Sequence, residues 1–152
     1  MDWLDILMRL GSAALIGGAI GLNRDLHHKA SGLRTLSLVG LGAALATLTA
    51  TAGASDAGAV SRVLQGLITG VGFLGAGVIV HDAGDSKVRG LTTAATIWVT
   101  AVLGAACGLA AWPLVVITTA IIAAILLVGG RIEKSVHKAF YVDGVQPSDD
   151  SA

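Results

Sequence analysis

Charge is scarce in this chain and unevenly spread: 13% of its 152 residues are Asp, Glu, Lys or Arg, against about 25% in ordinary soluble domains. No Asp, Glu, Lys, Arg or His falls between Leu36 and Ala54, Val63 and Val80, Leu91 and Ala110, or Pro113 and Gly130. A soluble helical protein would show a polar stripe on each of these segments, because each helix would need a wetted face. That absence excludes the soluble class. The single cysteine, Cys107, excludes an intramolecular disulfide and a multi-cysteine metal site. No nucleophile–base pair and no metal-ligand cluster is present, so no catalytic residue, metal or cofactor is expected. His27 and His28 are adjacent, so their side chains point apart and they read as solvated loop histidines. No basic patch precedes the first apolar run, which opens on Asp2 and Asp5, so this end is not a cleaved signal peptide.

What is present is membrane-spanning sequence. Each charge-free run reaches the roughly 17–25 residues that a helix needs to cross a hydrocarbon core of about 30 Å. A further span must begin near Asp2–Leu4, because Leu10–Leu22 alone is too short. That start places Arg9 about two turns inside, four residues from Asp5, where the two form an ion pair on one helix face near the outer surface. The expected fold is an all-α bundle of five transmembrane helices over residues 1–130. A short amphipathic helix lying along the membrane surface over 131–140 and a disordered tail over 141–152 follow. With five spans, Arg24, Lys29, Arg34, Lys87, Arg89, Arg131, Lys134 and Lys138 share one side, eight of the ten basic residues. The positive-inside rule then puts the N-terminus outside and the C-terminus in the cytoplasm.

Glycine is abundant, at 21 residues, and small residues let helices approach closely in lipid. Span 3 holds Gly66, Gly70, Gly72, Gly75 and Gly77. At about 100° per residue, Gly66, Gly70 and Gly77 share one face while Gly72 and Gly75 lie on the other. The expectation is a central helix with close neighbours on both sides. Gly17/Gly21 in span 1 and Gly104/Gly108 in span 4 are further candidate packing pairs. Gly70–Gly75 also spells GxGxxG, but a dinucleotide fingerprint needs a preceding strand and an exposed helix start, and this one sits inside an apolar span. In span 4, Thr93, Thr96, Thr100, Gly104 and Cys107 share one face opposite Trp98, Val102 and Leu109. These hydroxyls read either as bonded to backbone one turn back or to a neighbouring helix, or as a weakly polar pathway.

The polar constellation sits at the basic face. Spans 2 and 4 open at Arg34–Thr35 and Arg89–Thr92–Thr93, with hydroxyls able to cap and unpaired N–H groups at each helix start. Together with Arg24 and Lys29 they can hold an anion such as a lipid phosphate. Alternatively Asp25, Asp82 and Asp85 neutralise the arginines as an ion-pair belt.

Three ordered blocks resemble the MgtC/SapB family of bacterial inner-membrane proteins over roughly residues 11–128. They are Gly21-Leu-Asn-Arg-Asp25 with Lys29-Ala-Ser-Gly-Leu-Arg-Thr35 and Leu38–Ala44, then Gly70-Val-Gly-Phe-Leu-Gly-Ala-Gly77, then Val88-Arg-Gly-Leu-Thr-Thr-Ala-Ala95 leading to Trp98 and Gly104. The sequence departs where the family often has Glu, at Asn23, and it ends before the cytoplasmic C-terminal domain that some members carry. The resemblance implies a multi-pass protein of the bacterial inner membrane with a role in adaptation to low magnesium or in virulence. In some members it implies restraint of the proton-driven ATP synthase. A non-enzymatic regulator that docks on another membrane protein or on itself, as a homo-oligomer, is the leading expectation. The alternative is a channel or carrier for a cation or small solute lined by spans 3 and 4. The expected partners are the lipid bilayer, including anionic lipid, and another membrane protein, with no nucleic acid.

Overall fold

The computed structural model describes residues 1–53, 57–81 and 88–141, with side chains described except at 53, 57, 80, 81, 88 and 130–141. Five helices follow one another: α1 Trp3–Leu26, α2 Leu33–Gly53, α3 Ala57–Gly77, α4 Leu91–Gly108 and α5 Trp112–Tyr141. All five are long and apolar enough to cross a membrane. Between α3 and α4, β1 (Val80–His81) and β2 (Val88–Arg89) form a two-residue antiparallel ladder pairing Val80 with Arg89. The chain divides into two compact units, Met1–Thr119 and Ala120–Ala152. In the second unit the described residues continue α5 without a break to Tyr141. The segment 131–140, expected as a separate surface helix, is therefore helical in continuity with the fifth span, and the tail over 142–152 lies outside the described residues.

Within the first unit, α1, α2 and α4 pack through backbone contacts that only small residues allow. A Cβ at Gly17 would strike the Leu36 carbonyl, and one at Gly21 would lie 2.6 Å from the Leu33 Cα, so α1 runs antiparallel against α2. Gly104 faces the backbone of Gly40, and Gly108 faces Ala44 and Thr47, so α4 runs parallel to α2 with an equal offset at both crossings. Gly40 also abuts α1, where a Cβ would meet the Ala13 carbonyl at 2.7 Å. It is the point at which three backbones converge. Thr47 Oγ1 lies 3.1 Å from the carbonyl oxygens of Ala43, Ala44 and Ala105, spending its one proton at the α2–α4 seam. Ala13, Ala44, Cys107 and Val115 form the buried cluster beside this seam.

The expected central place of span 3 is corrected by this arrangement. Within its spanning window α4 has 56% of its residues buried and α3 only 6%. Gly66, Gly70, Gly72 and Gly77 have nothing within 4 Å of a built Cβ, and Gly75 meets only Ala94 of α4, at 3.6 Å or beyond. The glycine count of α3 permits close approach on two faces, but packing depends on what the opposing helices present. Of the α3 glycines only Gly75 would bring a Cβ within 4 Å of a neighbour in the first unit, although both α4 and α2 pack on this helix.

Two helices end in the same reverse turn, which closes their last carbonyls. At the end of α1, Lys29 N–H donates to Arg24 O at 3.0 Å and His28 N–H to Asp25 O at 3.0 Å, with His28 at φ 51°. At the end of α4, Ala111 N–H donates to Ala106 O at 3.0 Å and Ala110 N–H to Cys107 O at 2.9 Å, with Ala110 at φ 55°. Large apolar side chains remain exposed around the helices, among them Leu15, Leu38 and Phe73. Such a surface suits lipid and not water.

Candidate functional site at the two ends of α1

Helix α1 carries one arginine near each end, and both reach α4. Arg9 Nε donates to Asp5 Oδ1 at 2.9 Å, and its Nη1 donates to the Gly108 carbonyl at 3.0 Å. The cation thus sits on the C-terminal end of α4, where the helix dipole favours positive charge. At the other end Arg24 is buried, with 4% of its surface exposed. Its Nη2 donates to Thr93 Oγ1 in the first turn of α4 and, at a long 3.5 Å, to the Ala30 carbonyl. Its Nε is buried and donates to nothing among the described residues. No carboxylate lies within ion-pair distance of Arg24 among the described residues. A buried cation held only by neutral acceptors is costly, because the Coulomb attraction that offsets desolvation is missing.

The adjacent carboxylate is used elsewhere. Asp25 Oδ2 accepts the Leu33 N–H at 2.9 Å, so the end of α1 caps the start of α2 across the intervening turn. Gly32 makes room for it, since a Cβ there would collide with the Asp25 carboxylate. The expected hydroxyl cap of α4 is not made: Gly90 is the residue before α4 and no side chain caps that helix. Asp25→Ala is expected to lower stability by about 1 kcal/mol, the usual worth of a cap, while Asp25→Asn keeps most of it. Thermal unfolding in detergent reads both, and an unaltered Asp25→Ala would remove the capping role.

The other residues of the patch are arranged differently. Lys29, Arg34, Thr35, Arg89 and Thr92 are exposed around this end. Arg34 and Thr35 border a cleft of about 470 Å³ between α2 and α3 that is otherwise lined by apolar residues such as Leu38, Leu67 and Val71. Asp82 and Asp85 lie outside the described residues. The threonine face of α4 is buried against its neighbours, with Thr96 Oγ1 donating to Thr92 O at 2.7 Å and Thr100 Oγ1 to Thr96 O at 2.8 Å. Among the described residues no group of three His, Cys, Asp or Glu is placed to hold a metal ion. His27 and His28 are exposed, and His27 Nδ1 lies 2.7 Å from the Asn23 carbonyl. The GxGxxG run is an uninterrupted part of α3.

Sequence reasoning placed Arg24 in a patch with Arg34 and Arg89 without separating the inward arginine from the outward ones. Helical phase carries that distinction. At about 100° per residue, Ala13, Gly17, Ile20, Gly21 and Arg24 fall within one stripe of about 100°, and all five are buried. Gly40 was missed because its role depends on two partner helices, which no local pattern shows.

Five helices long and apolar enough to cross a membrane, three of them packed on a glycine-lined seam, define a multi-pass membrane protein. The MgtC family profile matches residues 10–135, and the chain belongs to that family. It is 45% identical to Protein SrpB of Synechococcus elongatus, over 78% of this chain and 71% of that protein. It is 42% identical to Protein MgtC of Brucella abortus, over 65% of this chain and 40% of the relative. It is 41% identical to Protein MgtC of Salmonella typhimurium, over 68% of this chain and 43% of the relative. The chain therefore spans less than half the length of these MgtC relatives. No solved structure gives a significant match.

Proposed function

We propose that this chain is a non-enzymatic regulator of the bacterial inner membrane that acts by docking α3 against a helix of another membrane protein or of a second copy. The observation that carries the reading is the outward face of α3. Gly66, Gly70 and Gly77 share a stripe with Phe73, which is 81% exposed, and no atom lies within 4 Å of a Cβ built at any of the three glycines. Small residues beside one large apolar side chain are what a second transmembrane helix needs for close approach. The burial of the α4 threonines, whose hydroxyls bond to backbone carbonyls, supports docking over a solute pathway between α3 and α4. The basic residues at the α1–α2 and α3–α4 turns support an N-terminus outside and a C-terminus in the cytoplasm. Family membership supports a role in adaptation to low magnesium or in virulence, with the ATP synthase as one candidate partner.

The test is Gly70→Leu, together with Gly70→Cys for cross-linking in a Cys107→Ala background. Gly70→Leu should fold normally yet fail to restore growth of a deletion strain at low magnesium. Gly70→Cys should form a bis-maleimide adduct in native membranes, whereas Leu15→Cys on exposed α1 should not. Full complementation by Gly70→Leu, or equal cross-linking at both positions, would overturn docking through this face.

A further inference from the structure

We propose that Arg24 and the first turn of α4 form a binding site for a phosphate group, a function separate from docking through α3. Three observations converge on it. Arg24 is 96% withdrawn from the surface (4% exposed), and its Nε has no hydrogen-bond partner among the described residues. Its Nη2 is held by Thr93 Oγ1, which fixes the guanidinium at the start of α4. The N–H groups of Leu91, Thr92 and Thr93 have no intrahelical partner, the first such bond being that of Ala94 to Gly90 O at 2.8 Å, and the helix start is partly positive.

Guanidinium and helix start therefore carry the same sign of charge and repel each other. Among the described residues, the carboxylate nearest in sequence, Asp25, accepts the N–H of Leu33 instead of pairing with Arg24. An anion resolves both charges at once. A phosphate group fits the donor set, because its several oxygens can accept from Nε and from helix N–H groups together. Exposed Lys29 and Arg89 flank the same end and add attraction for an anion arriving from outside. Arg24 lies two residues from the end of α1, about 3 Å along the axis, which is the depth of lipid headgroups for a spanning helix. The same chemistry is offered by an anionic lipid and by free phosphate in the aqueous phase.

The experiment measures the melting temperature of the full chain in a neutral maltoside detergent. One arm adds phosphatidylglycerol, with phosphatidylcholine as control. A second adds inorganic phosphate, with chloride at matched ionic strength. The wild type should gain several degrees over control in at least one arm. Gain with phosphatidylglycerol alone assigns a lipid headgroup, and gain with inorganic phosphate assigns a soluble anion. Arg24→Lys, which keeps the charge but not the planar fork, should weaken the response at least ten-fold in half-saturating concentration. Thr93→Val, which frees the guanidinium without removing it, should weaken it several-fold and covers the case in which Arg24→Lys does not fold. No gain in either arm for the wild type would overturn the site. So would wild-type half-saturation in whichever of the two variants folds.

Discussion

Gly104→Leu is expected to destabilise the fold by at least about 3 kcal/mol, and Gly70→Leu by less than about 1 kcal/mol. Both replace a glycine in an apolar span with the same side chain, so helix propensity and hydropathy change alike. What differs is the neighbour. A Cβ at Gly104 would run into the Gly40 backbone, and Gly40 is itself pressed against the Ala13 carbonyl of α1. Neither helix can give way without opening the three-helix seam. Forced overpacking typically costs about 1–3 kcal/mol when side chains can shift, and here the obstacle is backbone. At Gly70 no atom lies within 4 Å of the built Cβ, so the leucine extends into lipid. Thermal unfolding in detergent compares the two. Equal destabilisation would mean that α3 is as tightly enclosed as α4, contrary to the packing described above.

The number and kind of spans were legible because desolvating a charge within lipid is costly enough to leave long runs without one. The same pattern marked α4, whose Thr93, Thr96, Thr100, Gly104 and Cys107 stripe is buried while Trp98 stands outward. Which helix holds the centre was not legible from glycine spacing. Gly66, Gly70 and Gly77 allow close approach, but a stripe of that kind serves a neighbour within the chain and one outside it equally well. Gly104 and Gly40 together show the difference, since a close crossing needs small residues on both partners at matched heights. Gly17 and Gly21 were readable as a packing pair but not as one that meets α2, and their counterpart, the turn at Gly32–Leu33, becomes visible only once Asp25 is seen capping α2 from eight residues back.

At the site, residue identity was readable and direction was not. Arg24, Asp25, Thr92 and Thr93 were grouped by lying at the ends of spans. The grouping left open whether Asp25 pairs with an arginine, and it read the hydroxyls as able to cap the helices. The structure divides these roles: the carboxylate serves the α2 start, and Thr93 receives the arginine. A carboxylate has several acceptor positions, so a neighbouring arginine and a helix start compete for it, and the three-dimensional turn between Leu26 and Leu33 decides the outcome.

Gly90→Val is expected to cost about 3 kcal/mol or more, with Gly90→Asn falling between valine and the parent. Gly90 holds φ at 95° immediately before α4, a backbone state that costs a β-branched residue roughly 1–2 kcal/mol and that asparagine tolerates better. Space is short as well, because a Cβ at this position would strike the Val78 carbonyl just past the end of α3. Val78 and Ile79 are themselves tied to that helix end, through N–H bonds to Gly75 O at 3.3 Å and Ala76 O at 3.2 Å. The obstacle cannot move without unwinding the end of α3. The two variants separate the contributions: valine meets both the conformational strain and the collision, asparagine chiefly the collision. Displacing Gly90 also displaces Thr93, three residues on, and with it the hydroxyl that holds Arg24. Gly90→Asn should therefore fold with reduced stability and show a weaker phosphate-dependent rise in melting temperature than the parent. A Gly90→Val protein that melts at the parental temperature would show that the α3–α4 turn adopts a different path from the one described.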